Sequence, residues 1–329
     1  MLRESSIGRA IIRVAMRDLD EISEVDVAIV GAGPSGLTAS YYFAKSGFRV
    51  VVLERRFSFG GGIGPGGNMF PRIAFQEEAL PILNDFNVRY IKTDYGVYVV
   101  DPSELIAKLA YNAIEAGARI LLGVHVDDVI YRVDPPRVTG VLWIWTPIQM
   151  SGMHVDPLYT MAKAVVDATG HDAEIISVVA RKIPELGITI AGEKSNYSEL
   201  SEKLVVEHAG RVAPGLYVTG IASCTVYGLP RMGPIFGGMI MSGKRVAEII
   251  ASILEVRRLP FQLKSSTMVA IRCTNCGRIL RGEPVIVKTC CVNSTPWVFC
   301  GRDCYKKFMM RWVRNQDALK SGGRLRSTI

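Results

Sequence analysis

The 329-residue sequence has no uninterrupted apolar run of the ~18 residues that a membrane span needs. Its richest stretch, IFGGMIMSGKRVAEIIASIL, is broken by Lys244, Arg245 and Glu248. The opening segment, MLRESSIGRAIIRVAMRDLDE, lacks the continuous apolar region and small-residue cleavage site of a secretion signal. These absences predict a soluble, cytoplasmic protein with no membrane partner. Cysteine is scarce over most of the length: Cys224 stands alone before residue 264, while six of the seven cysteines fall between Cys273 and Cys304. In a cytoplasmic setting such clustering predicts a metal site rather than disulfides. An apolar content of 49% excludes disorder over most of the chain.

The net charge of +8 would suggest nucleic acid or a membrane surface if it were spread evenly. From Lys264 onward, however, thirteen Lys and Arg face only three Asp and Glu, which leaves a slight acidic excess on everything before. Composition thus divides the chain into a body, residues 1–263, and a basic, cysteine-rich tail, residues 264–329. Near the start, Ile7, Ile11, Val14 and Ala15 follow helical spacing and predict a short amphipathic helix packed on the body.

The body opens with VDVAIV, an apolar run of strand formers, followed by GAGPSG, the helical stretch LTASYYFAKSG, and a second apolar run ending at Glu54. Strand, glycine turn, helix, strand and acid is the order of a dinucleotide-binding βαβ unit. Gly31 permits the tight turn, Gly33 lets the backbone approach a pyrophosphate, and Gly36 lets helix and strand pack closely. The helix N-terminus offers N–H groups to the anion. Glu54 would accept hydrogen bonds from ribose hydroxyls and repel a 2′-phosphate, favouring NAD or FAD over NADP. The GGGIGPGG stretch from Gly60 cannot lie inside a regular element; it is either a surface loop or a backbone surface for a ligand. IAFQEEALPILNDF reads as helical, YGVYVV as a strand, and DPSELIAKLAYNAIEAGA as a helix capped by Asp101 with Pro102 in its first turn. ARILLGVHVDDVIYRVDPPRVTGVLWIW supplies two or three further strands, an antiparallel excursion from the main sheet.

Downstream, His154 and Asp156 are spaced to face one side of an extended segment, and His171 follows a buried strand in DATGHD. Two imidazoles and a carboxylate match the donors of open non-haem Fe(II) sites, although such residues also occur as ordinary surface or hydrogen-bonded groups. Arg231, between prolines and glycines in GLPRMGP, is suited to clamping a carboxylate bidentately.

GAGPSG, Glu54-Arg55, the GGG loop, HVDP, DATGHD and above all VYGLPRMGPIFGGMIMSGKRVAE together resemble the thiazole synthase family of thiamine biosynthesis, in its archaeal form, over about residues 10–255. The resemblance implies an α/β, Rossmann-like fold of the two-dinucleotide-binding type, assembled as a homo-octamer. It implies that NAD is a substrate: nicotinamide leaves, the ADP-ribose is isomerised to a ketone, glycine condenses with it, sulfur is added, and cyclisation gives an ADP-linked thiazole carboxylate. On that basis Ser35, Glu54, Arg55 and Gly62 hold the adenosine and phosphates, Val126 lies near the adenine, Ile221 lies near the NAD, and Arg231 binds the glycine carboxylate. Asp156 and His171 would bind Fe(II), with Asp156 reaching a neighbouring subunit's site. His154 stands where suicide relatives carry a sulfur-donating cysteine. The implication is multiple turnover with sulfide from solution, His154 serving as acid or base. Gly64-Pro65 and Ile221 depart from residues common in the family. Cys224 is either an alternative sulfur donor or a packing residue at a strand end. An FAD-dependent oxidoreductase and a ribose-1,5-bisphosphate isomerase are the alternative activities.

In the tail, Cys273 and Cys276 pair as CTNC, and Cys300 and Cys304 as CGRDC. Two close thiolate pairs predict a tetrahedral Zn²⁺ site. Adjacent Cys290 and Cys291 would be packing thiols, reactive thiols or a substitute ligand. WVFCGRDCYKKFMMRW resembles the treble-clef fingers of certain ribosomal proteins and metallochaperones. Trp297, Tyr305, Phe308 and Trp312 among the basic residues suit RNA or another polyanion, or else form the core of a small zinc domain.

Overall fold

The computed structural model of the protein describes residues 3–254, 273–276, 285–287 and 297–320. Its backbone divides into two compact units, Met1–Phe261 and Gln262–Ile329.

The first unit begins with α1 (Glu4–Ile22), β1 (Glu24–Val30), α2 (Pro34–Lys45) and β2 (Val50–Glu54). β1 and β2 pair in parallel, Val27 opposite Val50 through Val30 opposite Leu53, as the βαβ pattern predicts. Next come β3 (Ile73–Phe75), α3 (Leu80–Asp85), β4 (Tyr90–Lys92) and β5 (Tyr98–Val100), the strands forming a small antiparallel sheet. α4 (Pro102–Glu115) is capped by Asp101, whose side chain accepts from the Ser103 and Glu104 amides. β6 (Arg119–Leu122) is followed by β7 (Val124–Val133) and β8 (Pro136–Trp145), which form the antiparallel excursion. The unit continues through α5 (Thr146–Ser151), β9 (Leu158–Asp167), α6 (Glu174–Lys182), α7 (Ser198–His208), β10 (Gly210–Ala213), β11 (Leu216–Val218), α8 (Ala222–Tyr227) and α9 (Gly237–Leu254).

The main sheet runs β10-β11-β9-β1-β2-β6, with the β7–β8 hairpin attached to β9. β11, β9, β1, β2 and β6 are mutually parallel, and β10 is antiparallel at the edge. Helices and the hairpin bury both faces, which explains the continuous rather than alternating apolar runs of β1 and β2. Val27, Ile29, Val50 and Val52 pack with Leu37, Phe43, Leu105 and Ile240 on one face. Ala28, Val30, Val51 and Leu53 pack with Trp143, Ile175 and Ile176 on the other. Chain order reverses at β1, which has β2 on one side and β9 on the other. The crevice beyond the carboxyl ends of such strands is where open α/β sheets bind ligands.

Three local expectations are corrected. Ile73–Phe75 forms a strand rather than the start of a helix, because pairing with β5 overrides its helical spacing. Cys224 lies in α8, not at a strand end, since the chain turns at Gly220 (φ +68°) and coils at once. α1 forms, but Ile7, Ile11 and Val14 are exposed, and only its C-terminal end, through Leu19 and Ile22, packs on the body. Among the described residues no helix is long and apolar enough to cross a membrane.

Candidate active site

A cavity of about 470 Å³ opens at the switch point. The carboxyl ends of β1 and β2, the turn after β9, the glycine loop around residues 61–67 and the 231–236 loop line it. Gly31, Gly33 and Ser35 are in its wall and Gly36 is set behind it. Gly31 has φ +104°, and a Cβ there would lie 2.4 Å from the Ala168 carbonyl oxygen. A Cβ at Gly36 would lie 2.1 Å from the Gly31 carbonyl oxygen. Both positions therefore require glycine, one for conformation and the other for the approach of α2 to the turn.

Glu54 is buried in the cleft. Its Oε2 accepts from the Ala32 amide at 2.7 Å and its Oε1 from the Arg56 amide at 2.8 Å, fixing the carboxylate while each oxygen keeps a lone pair. Arg55 also lines the cleft, held by an ion pair with Glu174. Gly62, Val126 and Ile221 line it as well. The dinucleotide residues named from sequence, Gly36 apart, thus face one cavity.

His171 and Arg231 line the cavity as well. Between them lies Glu193, which the sequence did not single out. Glu193 Oε1 is 2.6 Å from His171 Nδ1 and Oε2 is 3.6 Å from Arg231 Nε. Thr225 donates its hydroxyl to the His171 carbonyl and lies 3.4 Å from Glu193 Oε1. His154 and Asp156 follow α5 on an exposed irregular segment and do not line the cavity. Within one chain, then, the set His154, Asp156 and His171 is not assembled. Among the described residues the tail cysteines are the only group of three or more such side chains close enough to hold a metal. Spacing placed His154 and Asp156 on one side of a segment but could not say which cleft that side meets.

Cys224 is fully buried, donates to the Pro230 carbonyl at 3.3 Å, and is pushed up to about 11 by burial. It packs with Val205, Leu229 and Met232, behind the cleft wall that Met232 helps to form, and does not itself line the cleft. A buried, protonated thiol in that place is a packing residue.

The turn bearing His171 is held by Asp167, at the end of β9 and wholly buried. Its carboxylate accepts from the Thr169 amide (3.0 Å) and hydroxyl (2.7 Å) and from the amides of Ile175 (3.0 Å) and Ile176 (2.9 Å). Burial pushes this carboxyl up, against the pull of those donors. α6 has no side-chain cap of its own at Ala173, so the Thr169 hydroxyl accepts from its first amide, Glu174, and Asp167 from the next two across the turn. Asp167→Asn presents an amide to one pair of donors and is expected to cost about 3 kcal/mol. The Ile175 and Ile176 amides should then exchange about 100-fold faster in hydrogen-exchange measurements. Unchanged protection would contradict the capping role.

In the second unit, β12 (Val285–Val287) pairs antiparallel with β13 (Trp297–Phe299), and α10 (Arg302–Lys320) follows. The sulfurs of Cys273, Cys276, Cys300 and Cys304 all lie within 4.8 Å of one another. Burial opposes ionisation of Cys273, but the amides of Cys300, Cys276 and Asn275 outweigh it and bring the thiol down to about 6. Trp297 and Phe308 rings lie 4.8 Å apart, Phe299 and Phe308 5.2 Å, and Phe299 and Tyr305 5.6 Å. The aromatics therefore pack on one another as a small core. Cys290 and Cys291 lie outside the described residues.

Fold and cleft together define a Rossmann-like α/β protein whose cleft carries an acid-anchored glycine turn, a histidine and an arginine. Comparison with known proteins narrows the class. The chain belongs to the Thi4 family, whose model matches residues 8–236. It is 75% identical over 247 residues to a thiamine thiazole synthase of Pyrobaculum aerophilum, covering 75% of this chain and 95% of that relative. A thiamine thiazole synthase of Sulfolobus acidocaldarius is 57% identical over 247 residues, covering 75% and 93%. The crystal structure of Thermovibrio ammonificans THI4 superposes with a TM-score of 0.74 at 44% identity, covering 78% of this chain and 99% of that one. The chain is an enzyme of this family, carrying a cysteine-rich tail beyond the matched residues.

Proposed function

We propose that the chain is a thiamine thiazole synthase that makes the ADP-linked thiazole carboxylate from NAD, glycine and sulfide, with Fe(II) as cofactor. The supporting observation is that the dinucleotide cradle and the His171–Arg231 pair share one cavity. The amides of the Gly31–Gly36 turn and the start of α2 would receive the pyrophosphate. Glu54 would take the ribose hydroxyls, with Ser35, Arg55 and Gly62 around the adenosine and phosphates, Val126 at the adenine and Ile221 beside the dinucleotide. Arg231 would clamp the glycine carboxylate, directing the amine toward the ketone derived from ADP-ribose.

The donors fit Fe(II) only if chains combine: His171 offers an imidazole inside the cleft, and the exposed Asp156 of the partner subunit would complete the set. This reading carries a homo-octamer with shared sites. Fe(II), held by His171 and the partner subunit's Asp156, would supply Lewis-acid chemistry for the sulfur addition. His154, beside Asp156, has no sulfur to give; it would move protons, and the enzyme would turn over repeatedly.

Anaerobic protein given NAD, glycine, sulfide and Fe(II) should yield the adenylated thiazole by mass spectrometry, and native mass spectrometry should show eight chains. No thiazole overturns the reading. A flavin spectrum would favour the FAD-dependent oxidoreductase, and turnover of ribose 1,5-bisphosphate the isomerase.

For the tail, the proposal is Zn²⁺ on Cys273, Cys276, Cys300 and Cys304. Zn–S bonds near 2.3 Å place tetrahedral sulfurs about 3.8 Å apart. Cys276 and Cys300 are 3.8 Å apart, and Cys300 and Cys304 3.4 Å. Exposed Arg302, Lys306, Lys307 and Arg311 on α10 support contact with RNA or another polyanion. Salt-sensitive retention of the full chain on RNA, lost when these four are neutralised, is the test.

A further inference from the structure

We infer that Glu193 is the positioning residue of the glycine site in the cleft, one carboxylate orienting both the imidazole offered to Fe(II) and the guanidinium offered to the amino acid. This rests on the function proposed above.

Glu193 lies between the short turn Pro184–Leu186 and α7, in a segment without regular structure. Its backbone is nevertheless fixed on both sides. The Ala191 amide donates to the Val226 carbonyl at 3.3 Å, that of Gly192 to Thr225 at 2.9 Å, and that of Lys194 to Leu229 at 3.0 Å. The segment is thus laced onto the end of α8 and the loop that carries Arg231. The Glu193 side chain is only 17% exposed, whereas those of His171 and Arg231 are 51% and 58% exposed. The least exposed member of the cluster is therefore the one that can hold the two exposed ones.

A carboxylate at 2.6 Å from Nδ1 selects the Nδ1–H tautomer, because that nitrogen must donate. The lone pair is then on Nε2, the atom left for a metal. The same carboxylate meets Arg231 at Nε. Contact on that edge leaves both terminal nitrogens for a bidentate carboxylate, which fits an α-amino acid held by its carboxyl group. The two oxygens of one side chain thus fix the spacing between metal-binding imidazole and amino-acid clamp. Near-attack geometry between two bound reactants requires such a fixed spacing.

The test compares wild type, E193Q and E193A as full chains, with anaerobic Fe(II) titration and glycine kinetics. NAD affinity serves as the folding control, since the dinucleotide cradle is built from other residues. E193Q keeps an acceptor for Nδ1–H but places an amide against Arg231. Its Fe(II) affinity should fall less than about tenfold, while glycine KM rises and kcat falls, each by about tenfold. E193A should lose about 10–100-fold in Fe(II) affinity as well. Wild-type Fe(II) affinity and glycine KM in both variants overturn the inference. E193Q losing Fe(II) as completely as H171A also overturns it, by making Glu193 a ligand. Wild-type protein that binds Fe(II) but makes no thiazole overturns the proposed function instead, and the Fe(II) comparison still decides on Glu193.

Discussion

His171→Ala is expected to lower thiazole formation by about 10³-fold or more and to abolish Fe(II) retention, with NAD binding intact. The size follows from what the imidazole offers. It is the one proposed Fe(II) donor that lines the cleft within a single chain, and Lewis-acid assistance is worth several kcal/mol. NAD binding should survive because Glu54 is fixed by the Ala32 and Arg56 amides and the Gly31 amide by the Leu53 carbonyl, contacts that do not involve the His171 side chain. Folding should survive too, since the ring is half exposed and Asp167, not His171, holds the turn together. Iron analysis, NAD titration and product formation on the same preparation separate these effects. Wild-type iron content in H171A would remove His171 from the metal site.

The βαβ unit was legible because its signals are local: Gly31 needs a positive φ and Gly36 meets the Gly31 carbonyl five residues back, although Gly31 also abuts the distant Ala168 carbonyl. Arg231 was legible because its prolines and glycines mark a constrained loop. Glu193 was not, because the acidic residue in GEKSN carries no motif; its meaning comes from backbone pairing with residues 225–229, more than thirty positions away. His154 and Asp156 illustrate a different limit. Their spacing describes a face of the chain, and the structure leaves that face in solvent. Ile73–Phe75 and Ala222–Tyr227 were misread because three- to six-residue apolar segments fit either period, and only pairing with β5 or the turn at Gly220 decides between them.

The second large effect is expected in the tail. Cys300→Ser in the full-length protein should release one zinc per chain and unfold the Gln262–Ile329 unit, leaving thiazole formation by the first unit in place. A chelator should unfold the same unit but also remove Fe(II), so in that arm thiazole formation is read after Fe(II) is restored. Among the described residues this unit has a two-stranded ladder, one helix and an aromatic cluster of Trp297, Phe299, Tyr305 and Phe308. A core of that size leaves little margin against chain entropy, and domains this small depend on a metal or disulfides. Structural zinc supplies on the order of 10 kcal/mol in small fingers, more than such a domain's whole stability. The cysteines also tie its parts together: Cys273 and Cys276 precede the ladder, Cys300 follows β13, and Cys304 is in the first turn of α10. Without the ion, four sulfurs within 4.8 Å satisfy one another poorly, and the ladder and helix lose their common anchor. Near-ultraviolet circular dichroism of Trp297 and Trp312, zinc analysis and thiazole formation would be followed together. Unchanged spectra in excess chelator would contradict structural zinc, and a mass short of the thiol hydrogens would show that disulfides hold the cluster instead.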